Sequence, residues 1–431
     1  MKILLTGATG FLGRRLLREL LAAGHRVVCA GRHAPPLAHG RCEWLKLAFA
    51  GTSADVWGAH LQDVDAVVNL VGIFRETAAA SFADLHVRGP QALFDACLRA
   101  GVARVLQVSA LGADARADVP FLRSKYEADQ HLLSLPLDAC VAQPSLVFGT
   151  DGASSRQFLA LAGLPALPLP AGGLQRIQPI HVDDAVQALR AMVEAPPGQL
   201  RGRRIALVGP QPLPLRDYLL ALRQAIGRPR RVLLVPLPRP LVALLARLGD
   251  VHPRALLDRA GSRMLARGNT ADVVPVARLL CRLPRPVADF IPPEQRDVVR
   301  TQALLAWLLP LLRLSIAAVW LATAAVSLGL YPQDESHALL ARAGVPPELQ
   351  PAALWSAASL DLLLGVLTLW PLRARRWLWG LQGALIVFYS AVIALRLPEF
   401  WLHPYGPLTK NLPMLAALLL LWQLEPRRNG R

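Results

Sequence analysis

The stretch MKILLTGATGFLGRRLLRELLAAGH, residues 1–25, decides how the rest of the chain is read. KILLTG is an apolar run long enough for one buried strand. GATGFLG follows, with glycines at 7, 10 and 13. FLGRRLLRELLAAGH then repeats leucine at helical spacing and stops near a glycine. A strand, a glycine turn and a helix in that order make an anion site. The turn is tight, the backbone approaches a pyrophosphate closely, and the helix N-terminus offers free N–H groups and positive potential. Gly7, Gly10 and Gly13 therefore point to dinucleotide binding. The apolar run is too short for a secretory leader and leads straight into the turn.

Outward from this unit the pattern repeats. RVVCAGR (26–32), VDAVVNLVG (64–72), ARVLQVSALGA (103–113) and DACVAQPSLVFG (138–149) read as further buried strands, with GPQALFDACLRAGV (89–102) a helix between two of them. The fold class expected is α/β: a Rossmann-type, doubly wound parallel sheet with a small appended subdomain, followed by a four-helix transmembrane bundle. We expect the nucleotide domain over 1–200, a basic appended and juxtamembrane segment over 201–300, and the membrane domain over 301–431. The second strand ends in Gly31–Arg32. NAD sites usually place a carboxylate there for the ribose 2′-hydroxyl, whereas arginine suits the 2′-phosphate of NADP. With Arg14 and Arg15 close in sequence to the turn, NADP(H) is expected over NAD(H).

Hydrophobic residues make up 53% of the 431, which argues for a membrane part. The net charge is +17, but residues 201–300 alone hold 19 basic and 7 acidic side chains, a net of +12. A basic segment just before an apolar tail fits anionic membrane lipid, and with no aromatic-interleaved basic run, nucleic acid is not expected as a partner. Only four of the 47 cationic residues are lysine: Lys2, Lys46, Lys125 and Lys410. The five cysteines are scattered without a C-x-x-C, so reduced thiols and no metal site are expected.

Four apolar segments follow, near 304–330, 352–372, 377–396 and 408–424. LSIAAVWLATAAVSLGLY (314–331) runs 18 residues without a charge, about the minimum for a span. The loop LRARR (372–376) and the tail PRRNGR (426–431) are basic, while the other two loops carry few arginines. The positive-inside rule then places the N-terminal domain and the C-terminus in the cytoplasm, on a multi-pass protein of a bacterial inner membrane. Asp361, near the middle of the second segment, is costly there and calls for a partner or a role; Arg313 and Lys410 are candidate partners.

TGATGFLG (6–13), GVARVLQVSALGAD (101–114), FLRSKYEAD (121–129), QPSLVFG (143–149) and IQPIHVDDA (177–185) together resemble the atypical short-chain dehydrogenase/reductases. The similarity is to the branch holding NmrA-like proteins and the nucleotide-binding accessory subunit of respiratory complex I. The resemblance implies that Gly7, Thr9, Gly10, Phe11, Leu12 and Gly13 cradle the pyrophosphate. It puts Asn69, Leu70 and Val71 beside the adenosine. It implies Ser109 at the catalytic Ser/Thr position, Lys125 as the ribose-binding lysine, and Pro144, Ser145 and Leu146 beside the nicotinamide. The family usually has arginine where this chain has Gln143. LHPYGPLTKNLPMLAALLLLW (402–422) resembles the end of DoxX-like membrane domains, which implies an inner-membrane helical bundle and no particular reaction.

In that family a tyrosine four residues before the lysine handles the substrate proton. Here Phe121 stands in its place, and a tyrosine follows the lysine at 126. On a helix, 121 and 125 share a face, while 126 lies about 140° from 121, so Tyr126 is expected not to substitute. HVDDA (181–185) is expected to be mainly structural. Two readings stay open. One is a membrane-anchored NADP(H) oxidoreductase acting on a quinone or lipid substrate; the other is a non-catalytic nucleotide-binding scaffold, assembly factor or redox sensor. Oligomeric state is left open.

Overall fold

The structure is a computed structural model, and it describes residues 1–35, 39–251, 258–372, 374–402 and 408–425. Two notable sequence readings fall partly outside these. Arg373 and residues 426–431, on which the orientation rests, and residues 403–407 of the DoxX-like stretch lie outside the described residues. The chain divides into two compact units, Met1–Ala303 and Leu304–Arg431.

The first unit is built on seven strands: β1 (Lys2–Thr6), β2 (Arg26–Gly31), β3 (Cys42–Lys46), β4 (Ala66–Asn69), β5 (Arg104–Val108), β6 (Ala139–Pro144) and β7 (Arg204–Leu207). They lie side by side as β7-β6-β5-β4-β1-β2-β3, and every pairing is parallel. This is the doubly wound order, with its reversal between β1 and β4, and ligands of such sheets bind beyond the strand ends at that reversal. β7 falls past residue 200, so the first part of the expected appended segment completes this sheet.

Helices cover both faces because the strands are apolar on both sides. On one face α1 (Gly13–Ala22) buries Leu16, Leu17 and Leu20 against Val186, Leu189 and Met192. On the other, α2 (Gly89–Ala100) and α3 (Pro120–Ser134) bring Leu93, Phe94 and Leu132 onto Leu4, Val67 and Val105. α2 stops at Gly101, whose φ of 67° suits the left-handed cap. A third core, with Phe148, Tyr218, Leu222 and Phe290, forms the appended subdomain. HVDDA ties that region to the sheet. His181 begins α4 (Val182–Glu194), and the fully buried Asp184 accepts hydrogen bonds from Arg282 Nη2 and the Arg285 amide, both at 2.7 Å.

Further along lie α5 (Arg239–Val251) and α6 (Arg259–Arg267). α7 (Arg296–Ala325), α8 (Gln350–Leu369) and α9 (Arg376–Arg396) are long and apolar enough to cross a membrane. α10 (Asn411–Leu424) is apolar but has only 14 residues, about 21 Å of helix against a hydrocarbon core of about 30 Å. The expected fourth span is therefore present as a short helix. It still shares one core with the other three, through Trp320, Leu364, Trp379, Ile386, Leu418 and Leu421.

Candidate cofactor and active site

The first turn is shaped for close approach. Gly7 has φ 73°, and the Gly10 amide donates to its carbonyl at 2.9 Å. A Cβ on Gly13 would sit 2.1 Å from Gly7 O, and one on Gly7 would sit 2.9 Å from the carbonyl carbon of Leu70. The amides of Arg14, Arg15 and Leu16 donate back to Gly10 O and Leu12 O at 2.9–3.1 Å, so the backbone N–H groups left for an anion are those of Phe11, Leu12 and Gly13, which have no backbone acceptor among the described residues. Thr9 and Gly10 are exposed beside them. The residues present thus fit a pyrophosphate.

Phe11 could serve such a cradle only through its backbone. Its ring is fixed, because a Cβ at Gly149 or Gly152 would lie 2.9 or 3.1 Å from its edge, and Arg15 stacks 4.8 Å above it. Leu12 is half-buried and packs on the core behind α1. Arg14 and Arg15 both pair with Asp151, Arg15 at 2.5 Å. They pin the 149–152 loop to the start of α1, and so are engaged with a carboxylate. Arg32, just past β2, is exposed.

Beneath the turn runs a buried polar row across three strand ends. Thr6 Oγ1 donates to Asn69 Oδ1 at 2.6 Å, and Asn69 Nδ2 donates to Gln107 Oε1 at 2.7 Å. Asn69 also receives the Val71 amide at 3.2 Å and is fully buried. Its side chain is spent on the sheet, and so is most of the backbone that follows: the Leu70 amide donates to Thr6 O at 3.3 Å, and Val71 O accepts from Lys125 Nζ at 3.0 Å. Similarly, Ser145 Oγ donates to Gln178 O at 2.6 Å, and the Leu146 amide donates to Asn269 Oδ1 at 3.1 Å. Pro144 ends β6 beside them.

Ser109, directly after β5, donates its hydroxyl to Asp129 Oδ2 at 2.5 Å. Lys125 is buried, and its ammonium donates to Val71 O at 3.0 Å and Val108 O at 3.2 Å, bridging the ends of β4 and β5. Lys125 and Asp129 are one helical turn apart on α3 and face the same interior. Burial drives both toward neutrality. The Asp129 carboxyl is pushed up to about 7, against the pull of Ser109 and Lys125. The Lys125 ammonium is brought down to about 8, with Asp129 opposing.

Phe121 is buried at the same end of α3. Its ring lies 5.1 Å from Phe74, 6.2 Å from Phe82 and 5.5 Å from His86, centroid to centroid. Met264 and Ala260 of α6 pack against this cluster, whereas Phe74 remains 76% exposed. Tyr126 points elsewhere: its hydroxyl accepts from Gln130 Nε2 at 2.5 Å, and Arg204 stands 5.9 Å from its ring. The helical geometry therefore holds, and among the described residues no tyrosine hydroxyl takes the place of the one that Phe121 lacks.

His86 completes the site. The Ile73 amide donates to its Nε2 at 3.0 Å, which leaves the proton on Nδ1. Nδ1–H donates to Ser124 Oγ at 2.9 Å, and Ser124 Oγ–H donates to Phe121 O at 2.9 Å. Burial, reinforced by Lys125, lowers the imidazole to about 3. Asp129 was within reach of sequence reasoning, since it ends the same FLRSKYEAD stretch at four residues from Lys125. His86 and Asp151 carried no local signal, because each meets its partners only through the fold.

In the second unit Arg313 pairs with Glu425 at 2.8 Å, so it is not the partner of Asp361. Asp361 is 5% exposed, and its Oδ1 has no hydrogen-bond partner among the described residues. Gln382 accepts from Trp320 Nε1 at 3.0 Å and donates to Thr368 Oγ1 at 2.8 Å, all within the helical core.

A parallel sheet in this order, with a glycine cradle at its reversal, defines a dinucleotide-binding domain of the short-chain dehydrogenase type. Residues 3–207 match the NAD dependent epimerase/dehydratase family, and residues 317–419 match the DoxX-like family. The chain thus joins an epimerase/dehydratase-family nucleotide-binding domain to a DoxX-like membrane domain. It is 28% identical over 257 residues to NADH dehydrogenase [ubiquinone] 1 alpha subcomplex subunit 9, mitochondrial, of Rattus norvegicus, covering 57% of this chain and 66% of that protein. The Arabidopsis thaliana protein of the same name is 28% identical over 243 residues, covering 54% and 60%. The chain thus spans slightly less than two thirds of the length of these relatives. A nucleoside-diphosphate-sugar epimerase from Staphylococcus aureus shares the fold, with a TM-score of 0.55 at 21% identity over 67% of this chain and 99% of that one.

Proposed function

We propose that this protein is a membrane-anchored, NADP(H)-binding oxidoreductase that acts on a lipid-soluble substrate, a quinone or a lipid carbonyl, without the family's tyrosine. The observation that carries the catalytic reading is the Ser109–Asp129 hydrogen bond. A carboxyl held near neutrality can keep a proton at pH 7, and Ser109 Oγ can pass it to a substrate oxygen at the end of β5. A bound nicotinamide would supply the hydride. Phe74, Phe82 and Phe121 give the substrate side an apolar wall, which suits a lipid-soluble molecule. Asp361, buried among the apolar helices, is compatible with a proton or quinone role there. The NADP(H) preference rests on Arg32, since Arg14 and Arg15 are held by Asp151. Tighter binding of NADH than of NADPH would overturn it.

A second reading, a nucleotide-binding scaffold or redox sensor, is favoured by Lys125. Its ammonium is committed to two backbone carbonyls rather than to a solvent-facing ribose site. The relatives named as subunits of NADH dehydrogenase lean the same way. The deciding experiment is NADPH oxidation by the full chain in lipid, with panels of quinones and lipid aldehydes. The enzyme reading expects turnover that falls in Ser109→Ala and Asp129→Asn, with kcat declining above about pH 7 as Asp129 ionises. Tight NADPH binding without turnover, unchanged in Phe121→Tyr, makes the protein a scaffold. For the anchoring, we place the nucleotide domain and the C-terminus on the cytoplasmic side of a bacterial inner membrane, from the arginine distribution.

A further inference from the structure

α5 is turned inside out for a helix of a water-facing domain. Its inward residues are small or modest: Val242, Ala246 and Gly249 are buried, at spacings of four and three. Its leucines point the other way. Leu241, Leu244, Leu245 and Leu248 are between 40% and 61% exposed, and their spacing of three, four and seven puts them in one stripe. The preceding strand, Leu233–Leu237, adds Leu233 at 69% exposed. A continuous apolar stripe of this kind marks an interaction surface.

The charges around the stripe select its partner. Arg247 is exposed on its flank, Arg239 opens the helix, and Arg230 and Arg231 are exposed before the strand. Asp250, the acidic residue of α5, is paired with Arg259 at 3.1 Å. A second copy would bring arginine against arginine. An anionic lipid surface answers both features, taking leucines among its acyl chains and arginines among its headgroups. The same chain also carries three helices long and apolar enough to cross a membrane, so a bilayer is at hand.

We infer that α5 is an interfacial helix, and that its leucine stripe inserts into the surface of an anionic bilayer as a contact separate from the spanning helices. It presses the nucleotide domain onto the membrane whether or not that domain turns over a substrate.

The test uses the full chain in nanodiscs, in a Cys281→Ser background that removes the exposed native thiol. A bimane probe is placed on Leu244→Cys or Leu248→Cys. Leu363→Cys, exposed on α8, is the lipid-facing control, and Leu98→Cys, exposed on α2, is the water-facing one. The expected result is blue-shifted emission at 244 and 248 that brominated phospholipid quenches, as at 363, and more strongly with phosphatidylglycerol than with phosphatidylcholine alone. Water-like emission without quenching, as at 98, overturns the inference. Blue-shifted emission that brominated lipid leaves untouched also overturns it, because protein then covers the stripe.

Discussion

At the scale of single residues, the site depends on atoms that leave no room for change. Gly13→Ala would set a methyl 2.1 Å from Gly7 O, against backbone that cannot yield. We expect dinucleotide affinity to drop about tenfold or more, or ~1.4 kcal/mol, in a fluorescence titration with NADPH. His86 offers a pH test. Its folded pKa, about 3, lies below the ordinary value of 6.5, so the stability it lends is full above pH 6.5 and is lost as pH falls from there toward 3. Protonating Nε2 also destroys its acceptance of the Ile73 amide. Thermal midpoints measured across that range should fall more steeply for the native chain than for His86→Gln; parallel slopes would rule the linkage out. Lys125 was singled out in the sequence as a lysine among arginines. The structure gives that choice a reason, since a compact ammonium reaches two strand-end carbonyls inside the sheet.

At the scale of elements, periodicity and turn chemistry made the first unit readable. Leucines at 16, 17 and 20 mark the buried face of α1, and the valine-rich stretches AVVN (66–69) and RVLQV (104–108) mark central strands. β7 was harder to see, because RIAL is four residues long and begins with an arginine in an arginine-rich region. α5 shows the limit of pattern reading. A leucine stripe at helical spacing looks like a core face, and only its exposure shows that it faces outward. In the second unit the crossing of α7 and α8 depends on Gly365, where a Cβ would lie 2.7 Å from the Leu321 side chain and 3.2 Å from its amide nitrogen. Small residues let membrane helices approach this closely. Gly365→Val should therefore cost about 1–3 kcal/mol through overpacking, read as a lower melting temperature in detergent.

At the scale of the molecule, the question is how many times the chain crosses. Three long helices alone would leave the C-terminus opposite the nucleotide domain, whereas a fourth crossing returns it. α10 is short for the task, yet it shares the core of the other three, and Asn411 at its start donates to Ser390 Oγ of α9 at 2.8 Å. We expect a reporter fused after Arg431 to act as cytoplasmic and one placed in 332–351 to act as external. A C-terminal reporter on the external side would mean three crossings.

The sequence by itself determined the parallel sheet, the glycine cradle, the membrane tail and the loss of the tyrosine. These follow from local spacing, which one chain segment carries alone. Only the tertiary structure decided what each polar group is spent on. Asn69 bonds Thr6 and Gln107 across neighbouring strands, Arg14 and Arg15 close on Asp151 more than 130 residues away, and His86 reaches the helix of Lys125. A hydrogen-bonding group out of water must find a partner wherever the fold brings one. That partner sets whether the group is left for a ligand, and no local pattern records it.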